Sequence, residues 1–135
     1  MSSNTIQALD SKSLLPLMHL QDLDISNCSL SFLPDLPLPR LLKLRVSANL
    51  LQNTSSHFLS KCRKVKHLDL SHNLLPDVPR NLWRFVPGLI HLDISFNPIE
   101  VLDTTSLNNL LRLRHLDMTG LHLKYMDSRL LHSLK

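Results

Sequence analysis

The sequence predicts an α/β solenoid: a curved, horseshoe-shaped segment with a parallel sheet on its concave face and irregular or short helical returns on its convex face. The first observation behind this is one phrase repeated at a constant step. Val65-x-x-Leu68-x-Leu70-x-x-Asn73-x-Leu75 recurs downstream as Leu89-x-x-Leu92-x-Ile94-x-x-Asn97-x-Ile99, and at the same offset upstream as Leu41-x-x-Leu44-x-Val46-x-x-Asn49-x-Leu51. Leu20-x-x-Leu23-x-Ile25-x-x-Cys28-x-Leu30 and Leu113-x-x-Leu116-x-Met118-x-x-Leu121-x-Leu123 complete the series. The second observation is composition. Of 135 residues 43% are apolar, with two Gly and one Trp, which suits a leucine-built core and excludes disorder.

Within each unit, positions 4 and 6 alternate with polar neighbours, the period of a short strand. Leu23/Ile25, Leu44/Val46, Leu68/Leu70, Leu92/Ile94 and Leu116/Met118 are therefore assigned to the core, on strands stacked about 4.8 Å apart. Position 9 follows the strand, where the chain turns. An Asn amide there both donates to and accepts from buried backbone groups, so Asn4, Asn49, Asn73 and Asn97 form an expected ladder. Cys28 substitutes for Asn in one unit; Leu121 makes no such bonds, so the ladder is expected to fray there.

The return half of each unit carries apolar anchors at position 14 (Leu33, Val78, Leu102, Met126) and position 19 (Leu59, Trp83, Leu107, Leu131), with Thr54 breaking the first series. The unit from Leu20 is shorter than the others, and Pro34, Pro37 and Pro39 predict an extended return. A short helix is expected from Thr104 to Leu113, capped by Thr104 or Thr105.

A period of roughly 20–29 residues with this leucine frame and Asn or Cys at its ninth position resembles the leucine-rich repeat. The resemblance covers essentially the whole chain. It implies one domain over residues 1–135: a partial repeat 1–19, then repeats 20–40, 41–64, 65–88, 89–112 and 113–135. In the partial repeat Asn4, Ile6, Leu9, Leu14 and Leu17 fall on frame positions. Neither end carries the polar cap that closes such stacks. The chain is thus read as an internal piece of a longer protein, whose open ends leave Leu14, Leu17, Leu20, Leu116, Met118 and Leu123 uncovered. Units of this length with a bulky group at position 19 resemble the typical class of Toll-like receptor ectodomains, chaoptin and Slit. That likeness implies an extracellular or plasma-membrane ectodomain that binds a protein ligand, a glycan or a lipid, for adhesion or receptor signalling. The alternative is a cytosolic scaffold using the same face for an intracellular protein.

The net charge of +4 concentrates only at Lys61, Arg63, Lys64 and Lys66, read as a solvated turn rather than a nucleic-acid patch. No apolar run reaches the ~20 residues of a membrane span, so membrane attachment would come only through sequence outside this chain. Position 3 is His in three consecutive repeats (His67, His91, His115) and position 5 is Asp (Asp69, Asp93, Asp117), both pointing away from the core. These columns, with His72, Phe96 and His122 at the concave rim, are the binding candidates. The neighbouring carboxylates are expected to raise the affinity of His67 and His115 for protons, with His91 protonating last. Zinc needs tetrahedral convergence, which a flat ladder lacks, so no metal or cofactor is assigned. Ser, His and Asp lie in rows without a nucleophile, base and orienter brought together, so the chain is read as a non-enzyme. Cys28 and Cys62 belong to different faces and are expected to be buried thiols. Asn27-Cys28-Ser29 and Asn53-Thr54-Ser55 are N-glycosylation acceptors outside the leucine frame.

Overall fold

The computed structural model describes residues 14–52 and 58–133; Asn4, Ile6, Leu9, Asn53 and Thr54 lie outside them, as does the side chain of Leu131. Among the described residues seven short strands follow in chain order: β1 (Asp22–Asp24), β2 (Lys43–Arg45), β3 (His67–Asp69), β4 (His91–Asp93), β5 (Val101–Leu102), β6 (His115–Asp117) and β7 (Tyr125–Met126). The sheet β1-β2-β3-β4-β6 is parallel throughout, and its register places Leu23, Leu44, Leu68, Leu92 and Leu116 side by side. β5 and β7 form a second, two-stranded parallel sheet beyond the strand-exit turns.

The leucine frame builds the core as expected. Leu23, Ile25, Leu44, Val46, Leu68, Leu70, Leu92 and Ile94 are buried, as are the convex anchors Leu33, Leu59, Val78, Trp83, Leu102 and Leu107. Leu116 and Met118 pack against this core half-exposed, and Leu121 occupies the ladder position without an amide. Of the residues expected at the open ends, Leu17 and Leu123 are exposed and Leu20 is partly covered, whereas Leu14 is buried. Met126, assigned as a core anchor, is exposed on β7, because one side of that small sheet has no further turn packed against it.

The amide ladder is made by Asn49, Asn73 and Asn97, each buried. Asn73 Nδ2 donates to the carbonyls of Val46, Leu70 and Ser71 at 3.0–3.1 Å, and its Oδ1 accepts the Leu51 N–H at 3.2 Å. Asn97 repeats the pattern one turn on, with Leu70, Ile94, Ser95 and the Leu75 N–H. Asn49 accepts two N–H groups, from Cys28 and Leu30. Cys28 sits at the same position one turn earlier and donates its thiol to the Ser26 carbonyl at 3.3 Å. Every buried side-chain nitrogen and oxygen among the described residues has a partner.

The convex returns are mostly irregular. Residues 32–38, which include Pro34 and Pro37, form no regular element, Pro39 lies in the turn before β2, and Leu36 N–H bonds the Phe58 carbonyl of the next turn. Arg80–Phe85 and Ser128–Ser133 are 3-10 helices, as is the single turn Leu15–Leu17. The helix expected from Thr104 to Leu113 does not form; that stretch is a chain of turns. Asp103 Oδ1 takes the Thr105 N–H, Ser106 Oγ takes the Asp103 N–H, and Asn109 adopts φ 75°, which stops helical propagation. Trp83 is fully buried in the preceding turn and donates Nε1–H to the Ser106 carbonyl at 2.9 Å, tying that irregular return to the core. Neither Cys28 nor Cys62 is in a disulfide, and burial pushes the Cys62 thiol up to about 11. No helix among the described residues is long and apolar enough to cross a membrane.

Asn73→Ala leaves buried carbonyls and the Leu51 N–H unsatisfied, at a cost of about 1–3 kcal/mol. Asn81→Ala, at an exposed position of the Arg80–Phe85 helix, is expected to change stability by less than ~0.5 kcal/mol. Chemical denaturation midpoints compare the two, and equal shifts would remove the ladder from the account of stability.

Candidate functional site

The register that stacks the leucines also stacks the residues on the opposite face of each strand. Position 3 reads Asp22, Lys43, His67, His91, His115 across the sheet, and position 5 reads Asp24, Arg45, Asp69, Asp93, Asp117. The imidazoles form a continuous stack: His67 to His91 and His91 to His115 both lie 4.2 Å apart between ring centres, with planes 16° and 4° from parallel. The columns line an open groove of about 720 Å³ on the concave face, with Lys43 and Arg45 toward one end and Arg114 toward the other.

The Asp column behaves differently from the expectation. Asp69 Oδ1 accepts both the N–H and the Oγ–H of Ser71, at 2.9 and 2.6 Å, and Asp93 does the same with Ser95. Asp24 and Asp117 accept the N–H groups of Ser26 and Thr119. Each carboxylate thus closes an Asx turn at the strand end rather than facing the imidazoles. Hydrogen bonds from Ser26 hold the Asp24 carboxyl below the usual range, and those from Thr119 do so for Asp117. His67 and His91 are shifted down, not up. Desolvation lowers His67 first, followed by repulsion from His91, Lys43, Arg45 and His115; desolvation and repulsion from His115 and Lys43 lower His91. The expected upward shift at His67 is overturned because burial and the surrounding cationic groups all disfavour its protonated form. The sequence signal for the Asx turns is the recurring Asp-x-Ser/Thr spacing at the strand ends, which the pattern of columns alone does not bring out.

The rim has its own rule. Position 8 is left-handed in five consecutive repeats: Asn27, Ala48, His72 and Phe96 have φ 54–56° and Gly120 has φ 68°. The N–H groups of Asn27, Ala48, His72 and Phe96 bond the position-7 carbonyls of the next turn, as in His72 to Ser95 and Phe96 to Thr119. This aims the side chains into a row on the rim, where His72 and Phe96 stack at 4.5 Å with planes 11° apart. Phe96 remains 48% exposed. Its ring is seated over Gly120, where an added Cβ would stand 2.5 Å from Cδ1. His122 is exposed nearby, its own N–H bonded to the Ile99 carbonyl. Asn27, in the glycosylation acceptor, is exposed on this row as well. Among the described residues no group of His, Cys, Asp and Glu is placed to hold a metal ion.

Leucine-rich-repeat sequence patterns match residues 39–99 and residues 19–39, so together they span more than half of the chain. The chain belongs to the leucine-rich-repeat family. It is similar to the chaoptin of Tribolium castaneum, with 34% identity over 111 residues covering 78% of this chain and 14% of that protein. It is 31% identical to Drosophila melanogaster chaoptin over 113 residues, which cover 83% of this chain and 8% of that one. This leucine-rich-repeat chain thus spans a small part of either relative's length. Among solved structures, a chain of the Toll–Spatzle complex from a study of Drosophila development and innate immunity matches with a TM-score of 0.81 at 24% identity, over 91% of this chain and 17% of that one. A chain of the TLR13–ssRNA13 complex matches with a TM-score of 0.71 at 22% identity, over 94% of this chain and 22% of that one. At these identities the two structures show the shared solenoid fold.

With folded values below the unfolded 6.5, His67 and His91 contribute stability that is present above pH 6.5 and lost as pH falls through the folded values. Imidazole NMR titration should place both below 6.5, and His91→Gln should flatten the acid limb of the stability curve. Gly120→Ala forces Phe96 off its seat and strains a left-handed residue, destabilising the chain by about 1 kcal/mol or more and altering the near-UV signal of the ring.

Proposed function

We propose that residues 1–135 act as one solenoid domain, with the partial repeat and five repeats read from the sequence, and serve as a protein-binding recognition module of an extracellular, membrane-attached receptor or adhesion protein. The observation that carries this reading is the composite concave surface. A rigid imidazole stack, flanked by Lys43, Arg45 and Arg114, runs beside a rim row in which Phe96 stands half exposed and preorganised between His72 and Gly120.

A flat aromatic ring held in place by its neighbours loses little entropy when a partner covers it, which is the property of an interface anchor. Non-glycine residues kept at positive φ carry a backbone cost of order 1–3 kcal/mol each that the turn geometry sustains, a condition found at binding sites. His67, His91, His115, His72, Phe96 and His122 are the side chains offered to the partner. Asp69, Asp93 and Asp117 hold the strand ends and shape the groove, so their role is positioning. The extracellular setting is supported by the similarity to the chaoptins. A protein ligand is supported by the Toll–Spatzle likeness, in which a chain of the same fold is seen in complex with a protein. The Ser71 and Ser95 hydroxyls donate to Asp69 and Asp93 at the strand ends, and no catalytic step is part of this reading.

Screening the immobilised chain against a panel of soluble ectodomains tests the proposal. A genuine ligand should lose at least tenfold in affinity with Phe96→Ala and with His91→Glu, and keep its affinity with Leu111→Ser in the turn before β6, off the concave face, where Leu111 is 83% exposed. Retention of no ectodomain, or equal losses from the Leu111→Ser variant, would overturn it.

A further inference from the structure

We propose that the edge of the solenoid where the chain turns into each strand binds a sulfated polysaccharide. This is a second site, beyond protein recognition by the concave face, and it relies on the extracellular reading only to choose among polyanions.

The charges of the molecule are divided between its two edges. In the segments that lead into the strands (residues 39–42, 60–66, 84–90 and 108–114) there are eight Lys or Arg and no Asp or Glu. All eight are exposed. The opposite edge, after the strands, holds Asp77, Glu100, Asp103 and Asp127, and there each cation is matched: Arg80 lies 3.4 and 3.3 Å from Asp77 and Asp103, Lys124 lies 3.3 Å from Glu100, and Arg129 lies 2.8 Å from Asp127. Arg45 on the sheet face lies 4.0 and 3.9 Å from Asp22 and Asp24. Among the described residues, none of the eight edge cations takes part in an ion pair.

The repeat aligns these cations in rows. The same turn precedes β2, β3, β4 and β6, closed by the bonds Leu41 to Leu38, Val65 to Cys62, Leu89 to Val86 and Leu113 to Leu110. Arg40, Lys64 and Arg112 occupy one position of that turn. Lys66 and Arg114 share the next row, whose N–H groups bond the preceding turn at Leu42 and Ile90, and Arg114 also borders the concave groove, where the two surfaces meet. Adjacent rows step along the solenoid by about 5 Å per repeat, so the edge is a linear track of positive charge. Two of its guanidinium groups are held in place: Arg84 and Arg63 sit 4.8 and 5.9 Å from the centre of the Phe85 ring.

A long, unneutralised, linear row of cations fits a linear polyanion, whose counterions it displaces. The planar guanidinium fork suits an oxyanion with several equivalent oxygens. A single-stranded nucleic acid would also need rings on which bases stack. Here the exposed rings Phe32, Phe96 and Tyr125 belong to the strand-exit side and the concave rim, while Phe85 at this edge is buried beneath its arginines. Rows of cations without exposed aromatic rings beside them among the described residues favour a sulfated sugar chain, which presents anionic groups and no bases.

The test uses heparin as probe, with de-sulfated heparin and an oligothymidylate of similar charge beside it, at several salt concentrations. The variant Lys61→Gln/Arg63→Gln/Lys64→Gln removes three exposed cations; Lys124→Gln/Arg129→Gln removes two from the opposite edge, and circular dichroism verifies that both fold. The expected result is binding to heparin and not to its de-sulfated form, at least tenfold weaker in the triple variant. The slope of log affinity against log salt should fall by about two to three, near 0.9 per cation as for duplex DNA. The opposite-edge variant should change affinity less than twofold. Absence of heparin binding, equal losses per charge at both edges, or equal retention of de-sulfated heparin overturns the proposal. An oligothymidylate bound as tightly as heparin overturns it in favour of nucleic acid. Phe96→Ala should leave heparin binding unchanged, which separates this site from the concave one.

Discussion

One constraint organises the molecule: each turn must lie in register on the turn before it. Because β2 pairs with β3 residue for residue, and β3 with β4, a side chain meets its own counterpart one repeat away. For leucine that is ideal, since identical branched side chains pack into a continuous ribbon. For charged residues it is a burden, because like meets like at about 5 Å. The Asp column escapes that burden by turning each carboxylate onto the following Ser or Thr. In the His column, His67 and His91 escape it by giving up their protons more readily than a free imidazole. The same register decides where function can reside, because only the outward rows of the sheet and the two edges are free to vary while the frame repeats.

The fold was legible because its determinants are local and periodic. Each strand of the five-stranded sheet is announced by apolar residues two apart, and three of the turns that follow by Asn49, Asn73 or Asn97, whereas β5 and β7 are not announced by that pattern. The convex side was harder. Thr104 or Thr105 reads as a helix cap, yet the Ser106 hydroxyl and the Asp103 carboxylate take backbone N–H groups locally and favour separate turns. Met126 matches an anchor position by count, but its burial depends on packing from a neighbour, which spacing alone does not encode.

The candidate surfaces were legible in part. The His and Asp columns follow directly from strand alternation, and His72 and Phe96 from their place beside the ladder. The electrostatics of the His column differ from the expectation, since the sequence pattern says which residues are neighbours but not how far the stacked rings desolvate one another. The Phe96 seat depends on the missing side chain of Gly120, one full repeat away, and no local motif signals that pairing. The basic edge shows only one dense stretch in the sequence, Lys61 to Lys66; its extension through Arg40, Arg84, Arg112 and Arg114 emerges when the turns are stacked.

The amide ladder has a direction. Asn73 closes the backbone of the turn before it, at Val46 and Leu51, and Asn97 does the same at Leu70 and Leu75. A turn is therefore completed by residues synthesised after it. On a ribosome adding roughly 5–20 residues per second, about 1–5 s separate one repeat from the next. For that interval the newest turn carries open carbonyls and N–H groups above an exposed leucine surface, so the growing end is always the most vulnerable part of the nascent chain. Assembly advances as a front that moves one repeat at a time, each Asn sealing the turn behind it.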